Sequence, residues 1–287
     1  MMKAPAFLEE AVGKKTGVAI RRIILRNLKA IRVPVPPLAD QKRIVGVLDK
    51  AFVDIAAAQS HAETNLKNAH ALFEGYLQSV FSKRGDGWAE TTLGEVCDFE
   101  NGDRGKNYPN RAEYVESGIP WINTGHIQPD GTLSESEMNY ITRAKFDSLR
   151  SGKIQPGDLV YCLRGATLGK TALVDPLTIG AVASSLVIVR PTTSADSRFL
   201  YYFLTSPVGQ RRIKLYDNGA AQPNLGAKNV AKYKLAMTML AEQKVAVRTI
   251  DALATQTRRL ARLYEQKLAA LAALKKSLLH QAFRGEL

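Results

Sequence analysis

A segment of 44 residues occurs twice in this chain, and this internal repeat constrains the fold more than any other feature. Residues 38–81 and 240–283 superpose at a constant offset of 202 positions without a gap. Twelve pairs of positions are identical: Leu38/Leu240, Ala39/Ala241, Gln41/Gln243, Lys42/Lys244, Val45/Val247, Asp49/Asp251, Glu63/Glu265, Leu66/Leu268, Ala71/Ala273, Leu72/Leu274, Leu77/Leu279 and Phe81/Phe283. A spacing of 202 residues is far longer than the ~20–50 residues of a solenoid repeat, so the pattern predicts one module that is used twice.

Both copies are predicted to be long helices, because they are rich in Ala, Leu, Lys, Gln and Glu and contain no Pro. At the rise of an α-helix each copy would be about 65 Å long, which suits a spacer. Alternating steps of three and four residues predict a coiled-coil seam. Its predicted positions are Leu48, Ala51, Ile55, Ala58, Ala62, Asn65, Ala69, Leu72 and Tyr76 in the first copy, and Ile250, Leu253, Thr257, Leu260, Tyr264, Lys267, Leu271, Leu274 and Leu278 in the second. The polar pair Asn65 and Lys267 either fixes the helix register or lies where the seam opens to solvent.

The segment 87–239, between the two helices, is predicted to be an α+β domain. Its β-rich runs are punctuated by Gly and Pro, and Pro207 is expected to divide a helix over 197–216. Residues 1–37 parallel the end of this domain at the same offset, with three identities: Gly17/Gly219, Ala19/Ala221 and Asn27/Asn229. The predicted order is a C-terminal remnant of a first mixed domain (1–37), a first helix (38–86), the complete mixed domain (87–239), and a second helix with a tail (240–287).

Composition excludes several classes of protein. No apolar run reaches the ~18 residues of a membrane span, and the first residues lack a secretory signal. Two cysteines, Cys97 and Cys162, fit a reducing cytoplasm, where we expect the protein, and they are expected in the core. Four scattered His residues leave little basis for a His-based metal site. The net charge of +13 favours a polyanionic partner, although a basic surface also serves solubility.

No motif indicates catalysis. The stretch GATLGKT (165–171) has one residue too few for a phosphate-binding loop, and the residues after it are poor helix formers. The better interpretation is a glycine-hinged β-turn that presents Arg164 and Lys170. No methyltransferase motif and no recognisable Ser/His/Asp set is present, so we interpret the chain as non-catalytic and without a bound cofactor or metal.

The order of these elements resembles the specificity subunit of type I restriction–modification systems. The resemblance is carried by PPLADQKRIV (36–45), IQPGDLVYCLRGATLGKTALV (154–174), NGAAQPNLGAKNV (218–230) and the chain end HQAFRGEL (280–287). It covers nearly the whole chain, and the paired LA[DE]QK and the end are its most specific parts. Two features depart from the family: the first recognition domain is reduced to residues 1–37, and the second helix is preceded by MTM instead of the Pro pair.

The resemblance implies a fold with one mixed α/β target recognition domain and two long helices paired as an antiparallel coiled coil. It implies that the chain reads a half-site on double-stranded DNA and docks modification (methyltransferase) subunits, and through them the restriction subunit. S-adenosylmethionine, ATP and Mg²⁺ are then expected in those partners. Because the first domain is reduced, a homodimer or a second specificity fragment could complete the reader. A remnant without function and a structural coiled-coil adaptor remain alternatives.

DNA readout requires donors and acceptors at loop tips for base edges, and Lys or Arg for phosphates. The candidate residues are Arg104, Lys106, Asn123, Thr124, Arg164, Lys170, Gln222 and Asn224. For each one the alternative is a local role, since loop Asn residues commonly cap turns. Trp88 and Trp121 are interpreted as core residues. Charge favours the later half of the domain, because 87–139 carries a net −7 and 140–239 a net +9. The early, acidic part, with Arg104 and Lys106, is therefore expected to face away from DNA.

Overall fold

The computed structural model describes residues 5–16, 22–31, 35–83, 85–216 and 224–287. Within these ranges the helices are α1 (Pro5–Gly13), α2 (Leu25–Lys29), α3 (Leu38–Phe81), α4 (Leu93–Val96), α5 (Arg143–Ser148), α6 (Ser197–Thr205), α7 (Pro207–Tyr216), α8 (Ala227–Ala231) and α9 (Leu240–Arg284). The strands are β1 (Ala89–Thr92), β2 (Cys97–Asn101), β3 (Tyr114–Val115), β4 (Ile119–Ile122), β5 (Asn139–Ile141), β6 (Leu159–Cys162), β7 (Thr171–Leu173), β8 (Ala181–Val182), β9 (Leu186–Pro191) and β10 (Lys234–Met237). The chain divides into two compact units, Met1–Ala71 with Gln256–Leu287, and Leu72–Thr255. The predicted α+β class is confirmed.

In the first unit, α3 and the C-terminal part of α9 run antiparallel. Near the start of α3, Arg43 Nη2 donates a hydrogen bond of 2.8 Å to the main-chain oxygen of Leu287. Further along, Lys275 Nζ lies 5.1 Å from the ring centroid of Phe52. Residue numbers therefore rise along one helix as they fall along the other, as the resemblance implied.

The burial pattern corrects five of the eighteen predicted seam positions. One series of positions is partly or fully buried as predicted: Leu48, Ile55, Ala62, Ala69, Tyr76, Ile250, Thr257, Tyr264, Leu271 and Leu278. In the other series Ala51, Ala58 and Leu253 are partly buried as predicted. Five predicted residues of that series are exposed: Asn65, Leu72, Leu260, Lys267 and Leu274. In four of these five cases the next residue is partly or fully buried: Leu66, Phe73, Ala261 and Leu268. At these positions both helices keep the seven-residue period, but the buried residues follow a step of four and then of three instead of the predicted three and then four.

Of the two alternatives for the polar pair, this shift excludes the buried one that would fix the helix register. Asn65 and Lys267 are exposed, whereas Leu66 and Leu268, an identical pair of the repeat, are half-buried. The physical reason is that an apolar side chain gains free energy when it leaves water, while a buried amide or ammonium without a partner loses it. A period of 3.5 residues alone does not distinguish the two step orders.

The second unit contains a sheet that is covered on both faces where β6 lies. Its described strands form the sheets β1-β10, β2-β9-β6-β7 and β3-β5-β4-β8. All four residues of β6 are buried, and they alternate between two apolar clusters. Leu159 and Tyr161 pack with α6, while Val160 and Cys162 pack with β4 and β8 residues. Because side chains alternate along a strand, a sheet between two cores accounts for a strand without an exposed residue.

A buried ion pair anchors one end of the four-stranded sheet. Arg190, at the end of β9, donates to both carboxylate oxygens of Asp158 at 2.8 Å. The Asp158 side chain is only 2% exposed and also accepts from the Gln155 amide. These hydrogen bonds to Asp158 are the main cause that raises the pKa of Arg190 above its ordinary value. An Arg–carboxylate pair with two parallel hydrogen bonds fixes the orientation of both side chains and also pairs their charges. This role explains the Asp of the PGDLVY stretch.

A buried glutamine joins the start of α9 to the rest of the second unit. Gln243 Oε1 accepts from the Asp196 amide at 2.9 Å, and Nε2 donates to the carbonyls of Ser194 and Thr238 at 3.0 and 2.7 Å. Its equivalent in the first copy, Gln41, donates to the Pro36 carbonyl at 2.7 Å. The two glutamines therefore bind the carbonyl five residues before them, which accounts for their identity in both copies.

The N-terminal helices repeat the C-terminal ones at the offset of 202 residues. Helix α1 begins at Pro5 and α7 at Pro207, and α2 and α8 have the same length at equivalent positions. Their hydrogen bonds also correspond, since the amide of Asn27 donates to Ile24 and the amide of Asn229 donates to Gly226. The structural correspondence thus extends beyond the three identities found in the sequence.

Replacing the buried glutamine is expected to destabilise the protein far more than replacing its counterpart. Gln243→Ala should lower the free energy of unfolding by about 3 kcal/mol, because one buried amide and two carbonyls lose their partner. The matched variant Gln41→Ala, at a half-exposed position, should cost less than about 1 kcal/mol. Urea denaturation followed by circular dichroism measures both, and equal losses would contradict the assigned role.

Candidate nucleic-acid interface

The ends of several strands meet at one edge of the second unit. The parallel strands β4 and β8 end at Ile122 and Val182, and the chain then turns through residues 183–185 into β9. Strands β2 and β6 pair antiparallel with β9, so their last residues lie opposite its beginning. The loops that follow β2, β4 and β6 must therefore emerge around residues 183–185. We call these loops and the turn the recognition edge.

Close contacts hold the loops after β2 and β6 to the turn. Arg104 Nη2 donates to the Ser184 carbonyl at 3.3 Å, and the Leu163 amide donates to the Ser185 carbonyl at 2.9 Å. Gly102 lies so near that a Cβ there would be 2.5 Å from the carbonyl oxygens of Val182 and Ala183. Only glycine allows this approach, which explains its place at the end of β2.

The β6–β7 hairpin brings two predicted cations to the recognition edge. The strands pair antiparallel around a 3-10 turn, Gly165–Thr167, with Gly165 and Gly169 at φ of +75° and +84°. The predicted glycine-hinged turn is confirmed, and β7 instead of a helix follows it. Arg164 and Lys170 are exposed at its two sides.

The loop before α8 reaches the same hairpin. Arg164 forms a β-bridge with Asn224, and the Leu225 amide donates to the Leu163 carbonyl at 2.9 Å. Asn224 is exposed beside Arg164. Gln222 lies outside the described residues. Residues separated by 60 positions in the sequence are therefore neighbours at this edge.

The loop with Arg104 and Lys106 belongs to this edge, beside the later candidates. Whether it faces DNA stays a prediction, but the negative charge of its segment does not keep it from the edge. The reason is that the acidic residues around it are already engaged. Asp103, 3% exposed, accepts from the Arg150 main chain and side chain, and these bonds, with the main-chain bond first, lower the pKa of Asp103. Hydrogen bonding from Lys145 likewise lowers the pKa of Glu113. Formal charge summed along a segment ignores such pairing.

Asn123 acts both as a turn cap and as a presented amide. Its Oδ1 accepts from the Gly125 amide at 2.8 Å, and its own main-chain N–H donates to Nδ1 of His126 at 3.0 Å. Burial lowers the pKa of His126, so the ring stays neutral and keeps accepting at Nδ1. The Asn123 Nδ2 group donates to none of the described residues. Thr124, the next residue, is half-buried in the same 3-10 turn.

A cavity of about 460 Å³ opens at the recognition edge. Eight residues line it: Tyr108, Arg111, Tyr114, Trp121, Asn123, Asn139, Ala183 and Ser185. Of these, sequence reasoning selected only Asn123 as a candidate. Trp121 is 1% exposed, which confirms it as a core residue. The stretch YPNR, directly after the Arg104 loop, was the available signal for Tyr108 and Arg111.

The remaining chemistry-bearing residues are structural. Cys97 and Cys162 are buried, as predicted, and burial raises the pKa of the Cys97 thiol to about 12. The described residues contain no group of three His, Cys, Asp or Glu side chains suited to a metal ion. Among the described helices, none is long and apolar enough to cross a membrane.

A β framework that presents cations and amides from several loops at one edge has the features of a nucleic-acid recognition domain, since cations bind phosphates and amides read base edges. The sequence profile of the type I restriction modification DNA specificity domain matches residues 85–268. Because the match covers well over half of the chain, the chain belongs to this family.

Similar proteins carry the same description. The specificity subunit of type I restriction enzyme EcoBI from Escherichia coli is 21% identical over 99% of this chain. The MjaVIII specificity subunit from Methanocaldococcus jannaschii is 20% identical over 79% of it. The chain spans 64% and 56% of these two proteins, less than two thirds of their length.

Two solved structures share the fold. A chain from a study of complex assembly and conformational transition of the type I R-M system has a TM-score of 0.80 and 22% identity, covering 98% of this chain and 68% of that one. The HsdS subunit from Thermoanaerobacter tengcongensis has a TM-score of 0.62 and 22% identity, covering 98% and 67%. The resemblance recognised in the sequence is thus confirmed at the level of family and fold.

The neutral state of His126 predicts a pH dependence of stability. Since the folded pKa lies below the unfolded one, its contribution is complete above about pH 6.5 and is lost as the pH falls towards the lowered value. The urea concentration at the midpoint of unfolding should decrease when the pH is lowered from about 7.5 to about 5.5. In His126→Gln, whose amide oxygen can accept the Asn123 bond without titrating, that fall should be smaller. An unchanged fall would show that other groups cause it.

Proposed function

We propose that the chain is the DNA-recognition subunit of a type I restriction–modification complex and reads a half-site through the recognition edge. The observation that carries this proposal is the convergence of Arg104, Asn123, Arg164 and Asn224 around residues 183–185. In this role Arg104, Lys106, Arg164 and Lys170 bind phosphates or guanine, while Asn123, Thr124, Gln222 and Asn224 contact base edges. The names of the relatives, specificity subunits of type I restriction enzymes, support it.

The chain itself is proposed to be non-catalytic, with the chemistry supplied by partner subunits. S-adenosylmethionine belongs in this proposal to the modification subunits, with ATP and Mg²⁺ in the wider complex. The docking surface we propose is the outward face of the helices. Leu72 and Leu274, an identical pair of the repeat, are 58% and 48% exposed, and neither serves the seam. Equivalent exposed leucines on two helices suit two equivalent partners.

Residues 1–37 are proposed to complete a second recognition domain in the assembled complex. Two comparisons at the offset of 202 support this. Val35 is 72% exposed where its equivalent Met237 is 8% exposed, and Val45 is 54% exposed where Val247 is 6% exposed. The apolar positions that meet a domain in the second copy are thus open in the first. A second copy of the chain or a separate specificity fragment could cover them.

Sequencing of methylated adenines tests the specificity role directly. Cells with the modification subunit should show a defined methylation motif only when this chain is also present. A symmetric bipartite motif is expected for a homodimer, and an asymmetric one for a complementing fragment. A motif that does not change on deletion of the gene would overturn the proposed function.

Removing cations from the recognition edge should weaken DNA binding in a salt-dependent way. Arg164→Ala and Lys170→Ala are each expected to reduce the slope of log affinity against log salt by about one, because one phosphate contact is lost. Arg143→Ala is the matched control, since Arg143 is exposed but follows β5, whose end lies at the opposite edge from the end of β4. Fluorescence anisotropy gives the slopes. Equal slopes in all variants would remove the hairpin from the interface.

A further inference from the structure

The cavity at the recognition edge has walls suited to a flat aromatic ligand. We propose that this cavity, the aromatic recess, accepts one nucleobase that has left the stack of the bound DNA. The inference rests on the proposed function and adds to it a specific binding site. The volume of about 460 Å³ lies within the range of small-ligand pockets, ~300–1,000 Å³.

The aromatic walls are held in place by the core beneath them. The ring of Tyr108 meets Trp121 edge-on, with centroids 5.3 Å apart. Tyr114 packs against the same apolar cluster as Trp121, and burial is the main cause that raises its pKa. Because Trp121 is almost wholly buried, it supports the walls, and the half-buried Tyr108 and Tyr114 present ring surface. A base that stacks on a fixed ring needs little further ordering of the protein.

Polar groups on the same walls match the edge of a base. Asn123 presents the Nδ2 group that its turn does not use, Asn139 adds a second amide, and Ser185 adds a hydroxyl. Amides pair well with bases because they offer a donor and an acceptor side by side. The position of Asn123 is fixed by its bonds to Gly125 and His126, so its donor is oriented in advance.

The charge around the recess also fits a base attached to a phosphate backbone. Among the described residues that line it, none carries a carboxylate, and Arg111 is exposed at its rim. The Arg104 guanidinium binds the Ser184 carbonyl, next to the lining residue Ser185. A neutral ring inside and phosphates outside would therefore meet complementary groups.

Extruding a base costs a few kcal/mol of stacking and pairing, and it costs least for a base that is already unpaired. The test therefore compares a fully paired duplex with duplexes that differ only by one central unpaired A, C, G or T. The full-length chain should bind at least one of the unpaired forms about tenfold more tightly, as expected for one base stacked on an aromatic side chain. Fluorescence anisotropy at low salt measures the affinities.

Two variants separate the recess from general DNA binding. Tyr108→Ala removes one wall, and Asn123→Asp keeps the acceptor for Gly125 but replaces the free donor. Both should lose the preference for unpaired bases. Asn101→Asp is the control, because it adds the same charge at the end of β2 outside the lining residues. It should keep the preference.

Each outcome bears on a different claim. Equal affinity of the wild-type chain for paired and unpaired duplexes overturns the recess but leaves DNA recognition intact. Loss of the preference in Asn101→Asp as well would assign it to charge and overturn the recess. Adenosine, guanosine, cytidine or thymidine that binds the wild-type chain by calorimetry, but not Tyr108→Ala, would support the recess as a base-binding site. A chain that binds no DNA at all would overturn the proposed function itself.

Discussion

The pairing of β9 with a strand on each side determines where the candidate residues of the loops after β2 and β6 lie. Because β2 and β6 both run antiparallel to β9, their ends meet at its beginning, and the loops that follow them share one edge. At the other end of β9, Arg190 forms its paired bonds with Asp158, in a site that excludes most solvent. One end of the sheet is thus fixed by a buried ion pair, and the other presents loops whose cations form no ion pair with any residue that the structure describes. Because of the strand directions, the stabilising ion pair lies at one end of the sheet and the proposed recognition edge at the other.

Several elements could be predicted from local chemistry because one interaction dominates each of them. Pro207 separates α6 from α7, and the glycines at 165 and 169 form the hairpin turn, since few other residues fit these backbone positions. The seam could be predicted only in part. A step of three and a step of four both satisfy the period, and the choice depends on which side chains the two helices bury together. The identical pair Leu66 and Leu268 carried that information. Periodicity alone favoured the polar pair Asn65 and Lys267 just as strongly as the leucine pair.

The candidate site was harder to predict because charge and proximity depend on tertiary structure. The acidic early part of the domain carries a net −7, yet Asp103 and Glu113 bind Arg150 and Lys145 from a later segment. Arg104 and Arg111 are left exposed as a result. The recess draws on four separate stretches of sequence, and its aromatic residues have no periodic pattern to mark them. The residue types at the loop tips could be predicted from the sequence. The arrangement that joins them into one edge comes from the sheet.

The repeated glutamine has two roles, and the two copies show them separately. In both copies the side chain binds the carbonyl five residues earlier, at 2.7 Å, and so stabilises the start of a long helix. Only Gln243 also binds Ser194 and Asp196, and only Gln243 is fully buried. The local bond is enough to account for the identity of the two residues, because each helix needs a defined beginning. The additional bonds require a mixed domain beside the helix. A half-exposed Gln41 next to an exposed Val45 is therefore the state expected of the same helix start before such a domain is docked, and the repeat supplies a direct comparison of the two states within one chain.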